Sequence, residues 1–195
     1  MSIAVAIKCR QHYVLAADSK RTFGGGSVSE KNLRDVKIRK VGGAYMATTG
    51  WGLYGNILDD YLAKKKTVRV NDSRQIFTFF RGLWGQLREH YSLVNEQSGG
   101  EDSPFGDLDA SFLLITPNGI FYVACDMSVT RFDQYYAIGS GGPYGLGALH
   151  AMYDPRGSGE RIAARAVEAA CDLDVYCGGE IDVVKVKARP TRSKR

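Results

Sequence analysis

The sequence predicts an α+β fold, a four-layer αββα sandwich in which two antiparallel sheets lie between two layers of helices. Segments with the two-residue periodicity of strands come in pairs joined by short turns, which is typical of antiparallel hairpins. Segments with helical periodicity come as two consecutive pairs, so the order is strands, two helices, strands, two helices and a last strand. This order does not match alternating βαβ units.

The strand predictions rest on short apolar runs that end at polar or glycine-rich turns. In the first hairpin, an apolar run begins at Tyr13 and stops at Asp18. Pro117-Asn118-Gly119 separates a later pair and is a strong hairpin turn. The predicted strands are 3–7, 13–17, 36–41, 44–49, 110–116, 120–125, 132–138 and 181–186, and the glycines at 24–26 are assigned to a loop.

Four segments repeat apolar residues at the spacing of amphipathic helices. The longest is predicted to begin at Ser73, a favourable N-cap residue, and its aromatic stripe, which includes Phe77 and Phe80, is expected to lie in the core. Pro143 follows a glycine-rich turn and suits the first turn of another helix. The predicted helices are 53–66, 73–95, 143–153 and 159–170.

Length and charge predict one globular domain over 1–187 with a basic tail over 188–195. The chain has 195 residues, of which 44% are hydrophobic and 24% charged, and this is enough for a sizeable core. The tail holds four positive charges and no acidic residue, and taking these from the net charge of +5 leaves +1 for the remainder. The charge therefore gives no reason to expect nucleic acid as a partner.

Composition also argues against a membrane protein and a metalloprotein. No apolar run approaches the roughly 20 residues that span a bilayer, and the start of the chain has no signal-peptide pattern, so we expect a cytoplasmic protein without membrane contact. The four cysteines form no Cys-x-x-Cys pair, and we expect neither a metal nor another cofactor. Cys9 and Cys125 lie in or beside apolar strands and are expected to be small core residues.

Polar residues at the ends of predicted elements are the candidates for chemistry. A Ser-His-Asp triad does not fit, because the three histidines fall in a turn and in helices and no Gly-x-Ser-x-Gly motif occurs. Ser2 is small enough to permit removal of Met1, which would leave a hydroxyl and an amine on one residue, a nucleophile with its own base. The candidates are Ser2, Asp18, Lys37, the turn 50–52, Ser140 and Asp174.

Five stretches, in order along residues 2–187, resemble the proteasome β-subunit family and most closely its HslV-type bacterial form. The most specific is Ala-Ile-Gly-Ser-Gly-Gly-Pro-Tyr at 137–144, which opens a helix after a strand. The resemblance implies an N-terminal-nucleophile (Ntn) hydrolase fold and a threonine-peptidase-like endopeptidase within a homo-oligomeric ring. The matching stretches are 14–18, 36–40, 47–52, 137–144 and 174–179.

The resemblance assigns the nucleophile and its charged neighbours. The family's catalytic Thr falls on Ser2, its strand-end Asp on Asp18 and its essential Lys on Lys37. The α-amine of a first residue has a pKa of about 8 in a free peptide, and a nearby cation lowers it towards the working pH. Asp18 would keep Lys37 charged and oriented. No propeptide precedes Ser2 except Met1, so an aminopeptidase is expected to expose it.

The resemblance also assigns four supporting positions. The glycine whose backbone N–H meets the oxyanion falls on Gly52, with Gly50 as a competing register. The helper Ser falls on Ser140, and the Asp near the C-terminus falls on Asp174. Cys177 replaces a second family Ser, and Ser2 lacks the methyl group that restricts the rotamer of Thr.

Two other functions fit the same residues. The chain could be a non-catalytic ring or scaffold subunit, in which Ser2 is only a terminal residue and Lys37 a solvated strand residue. It could also be an Ntn amidohydrolase that acts on a small amide. The expected partners of the leading function are peptide or unfolded-protein substrates, further copies of the chain and, by analogy with HslV, an ATPase unfoldase.

Overall fold

The structure is a computed structural model that describes residues 2–23, 26–29, 31–91 and 108–190. Strands and helices are numbered in chain order. The strands are β1 (Ala4–Cys9), β2 (His12–Asp18), β3 (Thr22–Phe23), β4 (Gly26–Ser27), β5 (Ile38–Val41), β6 (Ala44–Gly50), β7 (Ala110–Thr116), β8 (Gly119–Val123), β9 (Val129–Phe132), β10 (Tyr135–Ile138) and β11 (Ile181–Lys187). The helices are α1 (Leu53–Ala63), α2 (Ser73–His90), α3 (Gly142–Met152) and α4 (Gly159–Leu173).

Two antiparallel sheets form the middle of the structure. The first has the strand order β10-β1-β2-β11, and the second has the order β5-β6-β7-β8-β9. Helices α3 and α4 pack on the first sheet, while α1 and α2 pack on the second. The predicted αββα sandwich is therefore confirmed.

Each interface between layers has its own hydrophobic cluster. Small and branched side chains, together with Tyr13, make up the buried cluster between the two sheets. Larger aromatic residues fill the interface between the second sheet and its helices, where the ring centroids of Phe80 and Phe112 lie 4.6 Å apart. The cluster between the sheets contains Ala4, Ala6, Tyr13, Leu15, Ala17, Ile38, Ala47, Leu113, Ile115, Ile120 and Ile138.

The pairing register brings the ends of several strands to one edge of the sandwich. Ala4 is paired with Ala17 on one side and with Ile138 on the other. Residue 18 therefore flanks residue 3, and the turn after residue 138 lies beside the start of β1. In the second sheet Ile38 is paired with Ala47, so residue 37 and the end of β6 lie close together.

Some sequence predictions were wrong in detail. The strand predicted at 132–138 contains only the last residue of β9, which pairs with β8, and all of β10, which pairs with β1 of the other sheet. The polar pair Asp133-Gln134 separates them, and the apolar residues on both sides hid the break. The predicted loop at 24–26 includes the start of β4 at Gly26, and the end of the helix predicted to reach 95 lies outside the described residues.

Helix α2 also departs from its prediction. Asp72, not Ser73, is its N-cap, because the Asp72 carboxylate accepts a hydrogen bond from Gln75 N–H. Phe79 lies in the core, whereas Phe77 is exposed. Among the described residues, no helix is both long and apolar enough to cross a bilayer.

The phenylalanines of α2 provide a test of the helix's orientation. Phe80 is fully buried against Phe112, whereas Phe77, three residues earlier on the same helix, is 47% exposed. Phe80→Ala is expected to lower the free energy of unfolding by about 3–5 kcal/mol, since it removes a buried ring and leaves a cavity. Phe77→Ala, the matched control, should change it by less than about 0.5 kcal/mol.

Urea denaturation followed by circular dichroism, at one protein concentration for all variants, measures both values. Equal losses for Phe80→Ala and Phe77→Ala would contradict the orientation of α2.

Candidate active site

A buried ion pair lies where the two sheets end. Asp18 at the end of β2 is fully buried, Lys37 just before β5 is 5% exposed, and Lys37 Nζ lies 2.6 Å from Asp18 Oδ1. Asp18 Oδ1 also accepts the Ile3 N–H at 3.0 Å, and Oδ2 accepts the Gly178 N–H at 3.1 Å. Because a buried charge is tolerated only when it is paired and hydrogen-bonded, these contacts fix the Lys37 ammonium beside the start of the chain.

Ser2 is buried and is held by the turn that follows β10. Its backbone N–H donates to Ser140 Oγ at 3.2 Å, and its carbonyl accepts the Gly141 N–H at 3.2 Å. Gly139 has a φ of +93°, and a Cβ there would lie 2.1 Å from the Ser2 carbonyl oxygen. Residue 139 must therefore be glycine for the turn to approach Ser2 so closely.

Asp174 lies behind this turn, at the end of α4. Its carboxylate accepts the Tyr176 N–H at 3.0 Å and the Cys177 thiol at 3.4 Å. Burial alone would raise the pKa of Asp174, but the hydrogen bonds from Tyr176, Ser140 and Cys177 outweigh it and lower the pKa. Asp174 is thus an anion at neutral pH.

The Cys177 thiol sits between two of the predicted site residues. Its sulfur lies 4.0 Å from Ser140 Oγ and 3.4 Å from Asp174 Oδ2. Burial, followed by the charges of Asp18 and Asp174, raises the pKa of Cys177 to about 12. Cys177 therefore stays protonated, acts as a hydrogen-bond donor and does not compete with Ser2 as a nucleophile.

Both glycines predicted as oxyanion positions lie near Ser2. Gly50 ends β6 with a φ of +112°, and a Cβ there would lie 2.3 Å from the Asp109 carbonyl oxygen. Gly52 is the N-cap of α1, and the Arg21 guanidinium covers its Cα so closely that a Cβ would clash. The choice between the two registers stays a prediction.

A cleft of about 580 Å³ opens beside Ser2, at the ends of the two sheets. Ser140, Gly50 and Gly52 also line it. A smaller cavity of about 50 Å³ reaches from Ser2 to Lys37 and Thr48. The buried hydroxyl of Thr48 forms no hydrogen bond with any described residue. The structure thus brings Ser2, Asp18, Lys37, Gly52, Ser140 and Asp174 to one site.

Several residues of the cleft have no distinct signal in the sequence. Cys125, expected in the core, is exposed and lines the cleft, because β8 ends two residues before it. Arg21 and Asp35 form an ion pair in the cleft wall, with 3.7 Å between Arg21 Nη1 and Asp35 Oδ1. These residues come from loops, whose meeting is set by the packing of the sheets and not by local periodicity. The other lining residues are Lys20, Thr22, Thr49, Trp51, Leu108, Asp109, Ala110, Ser111 and Gly139.

No protein-family model matches the chain. It is 28% identical to proteasome subunit beta 1 of Pyrobaculum calidifontis, over 95% of this chain and 90% of the relative. It is 25% identical to the ATP-dependent protease subunit HslV of Caldicellulosiruptor saccharolyticus, over 93% of this chain and 96% of the relative.

A solved structure gives a stronger match. The Thiobacillus denitrificans BPH in complex with epoxomicin is 30% identical in sequence and superposes with a TM-score of 0.86, covering 96% of this chain and all of that one. The match spans both sheets and both helical layers, so the fold is that of the Ntn hydrolases. The chain belongs to the family of proteasome β subunits and HslV-type peptidases.

Proposed function

We propose that the chain is an N-terminal-nucleophile endopeptidase that hydrolyses peptide bonds inside a homo-oligomeric ring once removal of Met1 exposes Ser2. The observation that carries this proposal is the buried Asp18–Lys37 pair, which is tied by the Ile3 N–H to the beginning of the chain. A solvated strand lysine or an ordinary terminal serine would not need this arrangement, because an ion pair without access to water is costly to build.

The reaction begins at Ser2. Its hydroxyl oxygen attacks the carbonyl carbon of the substrate, and the hydroxyl proton passes to the α-amine of the same residue. The backbone nitrogen that becomes this amine lies 3.2 Å from Ser140 Oγ, so a hydrogen-bond partner for the amine is in place. The tetrahedral intermediate then collapses, the peptide nitrogen leaves with the proton, and an ester on Ser2 remains for water to hydrolyse.

Lys37 acts through its charge. The ammonium favours the unprotonated form of the neighbouring α-amine and stabilises the negative charge that develops at Ser2 and on the oxyanion. It lines the same small cavity as Ser2, and burial shields it from water, which strengthens its field. Asp18 is a positioning residue, since it fixes the ammonium and does not face the cleft.

The glycine turn and the Asp174 network complete the site. A backbone N–H of Gly52, or of Gly50 in the competing register, donates to the oxyanion, an interaction worth about 2.7–4 kcal/mol in other hydrolases. Asp174 accepts from Cys177 and, together with that thiol, orients the Ser140 hydroxyl towards Ser2. Hydrogen bonds to neighbouring segments hold Ser2, Ser140 and Asp174 in place, so little reorganisation is needed during the reaction.

The size of the cleft favours a peptide over a small amide. About 580 Å³ lies in the range of pockets that hold drug-sized or larger ligands, whereas a small amide would leave most of it filled with water. Its walls carry both charges, from Arg21 and Asp35, beside the apolar surface of Trp51. A peptide substrate has backbone and side-chain groups for each of these walls.

Exposed apolar residues support assembly with further copies. Leu173, the last residue of α4, is 62% exposed and Val175, just after Asp174, is 76% exposed, and we assign this apolar pair to the contact with a further copy. A ring in the cytoplasm, built from a domain over 1–187 with a basic tail, is part of the proposal. An ATPase partner is included because the relative from Caldicellulosiruptor is named as a subunit of an ATP-dependent protease.

The nucleophile can be tested with epoxomicin, the peptide epoxyketone bound to the BPH structure. Intact-mass measurement of the purified protein should show loss of Met1. After incubation with epoxomicin, mass spectrometry should find a covalent adduct on the peptide that begins with Ser2, because hydroxyl and amine both become available there. Ser2→Ala should abolish the adduct, whereas Ser29→Ala, at an exposed serine, should not.

Cys125 is the necessary internal control, since it is exposed and lines the same cleft. Cys125→Ser should leave the adduct in place. An adduct that follows Cys125, or adduct formation on protein that retains Met1, would refute the N-terminal nucleophile.

The role of the ion pair can be separated from its contribution to folding. Lys37→Met leaves the Asp18 carboxylate buried without its cation and should cost about 3–5 kcal/mol of stability. The double variant Asp18→Asn with Lys37→Met lacks both charges of the pair and should regain much of this loss. Both variants should form the epoxomicin adduct at least ~100-fold more slowly than the parent chain, since the ammonium is missing.

Lys40→Met is the matched control, because Lys40 is an exposed lysine on β5 and should affect neither property. Thermal unfolding and the time course of adduct formation give the two readouts. A folded double variant that reacts at the parent rate would show that Lys37 is structural only.

A further inference from the structure

A second large cavity lies away from the site, where α1 ends and α2 begins. It has a volume of about 580 Å³ and shares no lining residue with the cleft beside Ser2. The catalytic proposal does not use it. The lining residues are Tyr61, Lys65, Thr67, Val68, Arg69, Asp72, Arg74, Gln75, Thr78 and Phe79.

The charge of this region is strongly positive. Residues 64–74 contain five Lys or Arg residues and one acidic residue, in a chain whose net charge is +5. Lys64 is paired with Asp60, but no carboxylate of the described residues lies within 4 Å of the Lys65, Arg69 or Arg74 head groups. The edge of the cavity therefore carries three cations that the described part of the chain does not neutralise.

The one acidic residue of the cavity is already engaged. Asp72 Oδ1 accepts the Gln75 N–H at 2.9 Å as the N-cap of α2. Gln75 Oε1 in turn accepts the Asn71 N–H at 3.1 Å. The start of α2 is thus satisfied from within the chain, and a ligand would meet the cations at the edge and not an uncapped helix end.

The floor of the cavity is apolar. Tyr61 and Phe79 are mostly buried and pack edge to face with ring centroids 5.3 Å apart. The Lys65 ammonium lies 4.5 Å from the centre of the Tyr61 ring, which holds it at the edge of the cavity. The cavity combines an apolar floor, which also includes Val68, with a cationic edge.

We infer that this cavity binds an acidic peptide segment of a partner protein, with an apolar side chain on the floor and flanking carboxylates at Lys65, Arg69 and Arg74. Charge complementarity selects the carboxylates, and the concave floor provides the anchor that a flat basic strip would lack. Nucleic acid fits less well, because Tyr61 and Phe79 are only 6% and 8% exposed and offer bases little ring surface for stacking. The inference does not depend on the proposed peptidase activity.

Binding of a fluorescein-labelled peptide, Glu-Asp-Glu-Phe-Asp-Glu, tests the inference by fluorescence anisotropy. Arg69→Gln with Arg74→Gln should raise the Kd about tenfold or more, since two charge-assisted contacts are lost. Arg81→Gln with Arg88→Gln is the matched control. Both arginines are exposed on α2 outside the cavity, and replacing them removes the same two positive charges. The control should leave the Kd within twofold, and both double variants should keep the circular dichroism of the parent chain.

A second peptide, with Phe replaced by Ala, tests the floor and should bind at least fivefold more weakly to the parent chain. No measurable binding of the Phe peptide, or equal losses in the two double variants, would overturn the site. Equal affinities of the Phe and Ala peptides would reduce the effect to non-specific charge and also overturn it. If a short DNA duplex binds more tightly than the Phe peptide, and this binding depends on Arg69 and Arg74, then the ligand is nucleic acid and the inference is refuted.

Discussion

The Asp18–Lys37 pair is the interaction on which the rest of the site depends. Two buried charges are stable only when they are paired and hydrogen-bonded, and the backbone N–H groups of Ile3 and Gly178 give the Asp18 carboxylate two hydrogen bonds besides the one from the ammonium. One carboxylate thereby joins the start of β1, the segment before β5 and the turn before β11. Both sheets must end at the same edge for these contacts to form, so the ion pair and the four-layer packing constrain each other.

The pairing register of the strands places the other residues of the site. Since Ala4 is paired with both Ala17 and Ile138, the residues that follow these partners necessarily flank the start of the chain. Gly139 then allows the turn to contact the Ser2 carbonyl, where any side chain would collide. A one-residue slip would turn the inward-facing side chains of β1 outward, so the same burial that stabilises the sandwich also fixes the geometry at Ser2.

Sequence periodicity was sufficient for the layers and for the residues at strand ends, because burial on one face imposes a period that can be counted. It failed where a local pattern allowed two answers. Phe77 and Phe79 are both apolar residues within one turn of α2, and only the packing against β7 decides which is buried. Cys125 follows an apolar strand but lies past its end, in the wall of the cleft. Arg21 and Asp35 meet through tertiary packing, which no local spacing encodes.

The two departures from the family pattern affect the proposed chemistry differently. At position 177 burial keeps the thiol protonated, so Cys177 still donates to Asp174, as a serine hydroxyl would, and that network retains its charge. At position 2 the missing methyl group frees the rotation of the nucleophile, but its backbone is held on both sides by Ser140 and Gly141. The position of the attacking residue is therefore kept while its side chain loses preorganisation. In the proposed mechanism we expect such a change to lower the rate of attack and to leave the type of reaction unaltered.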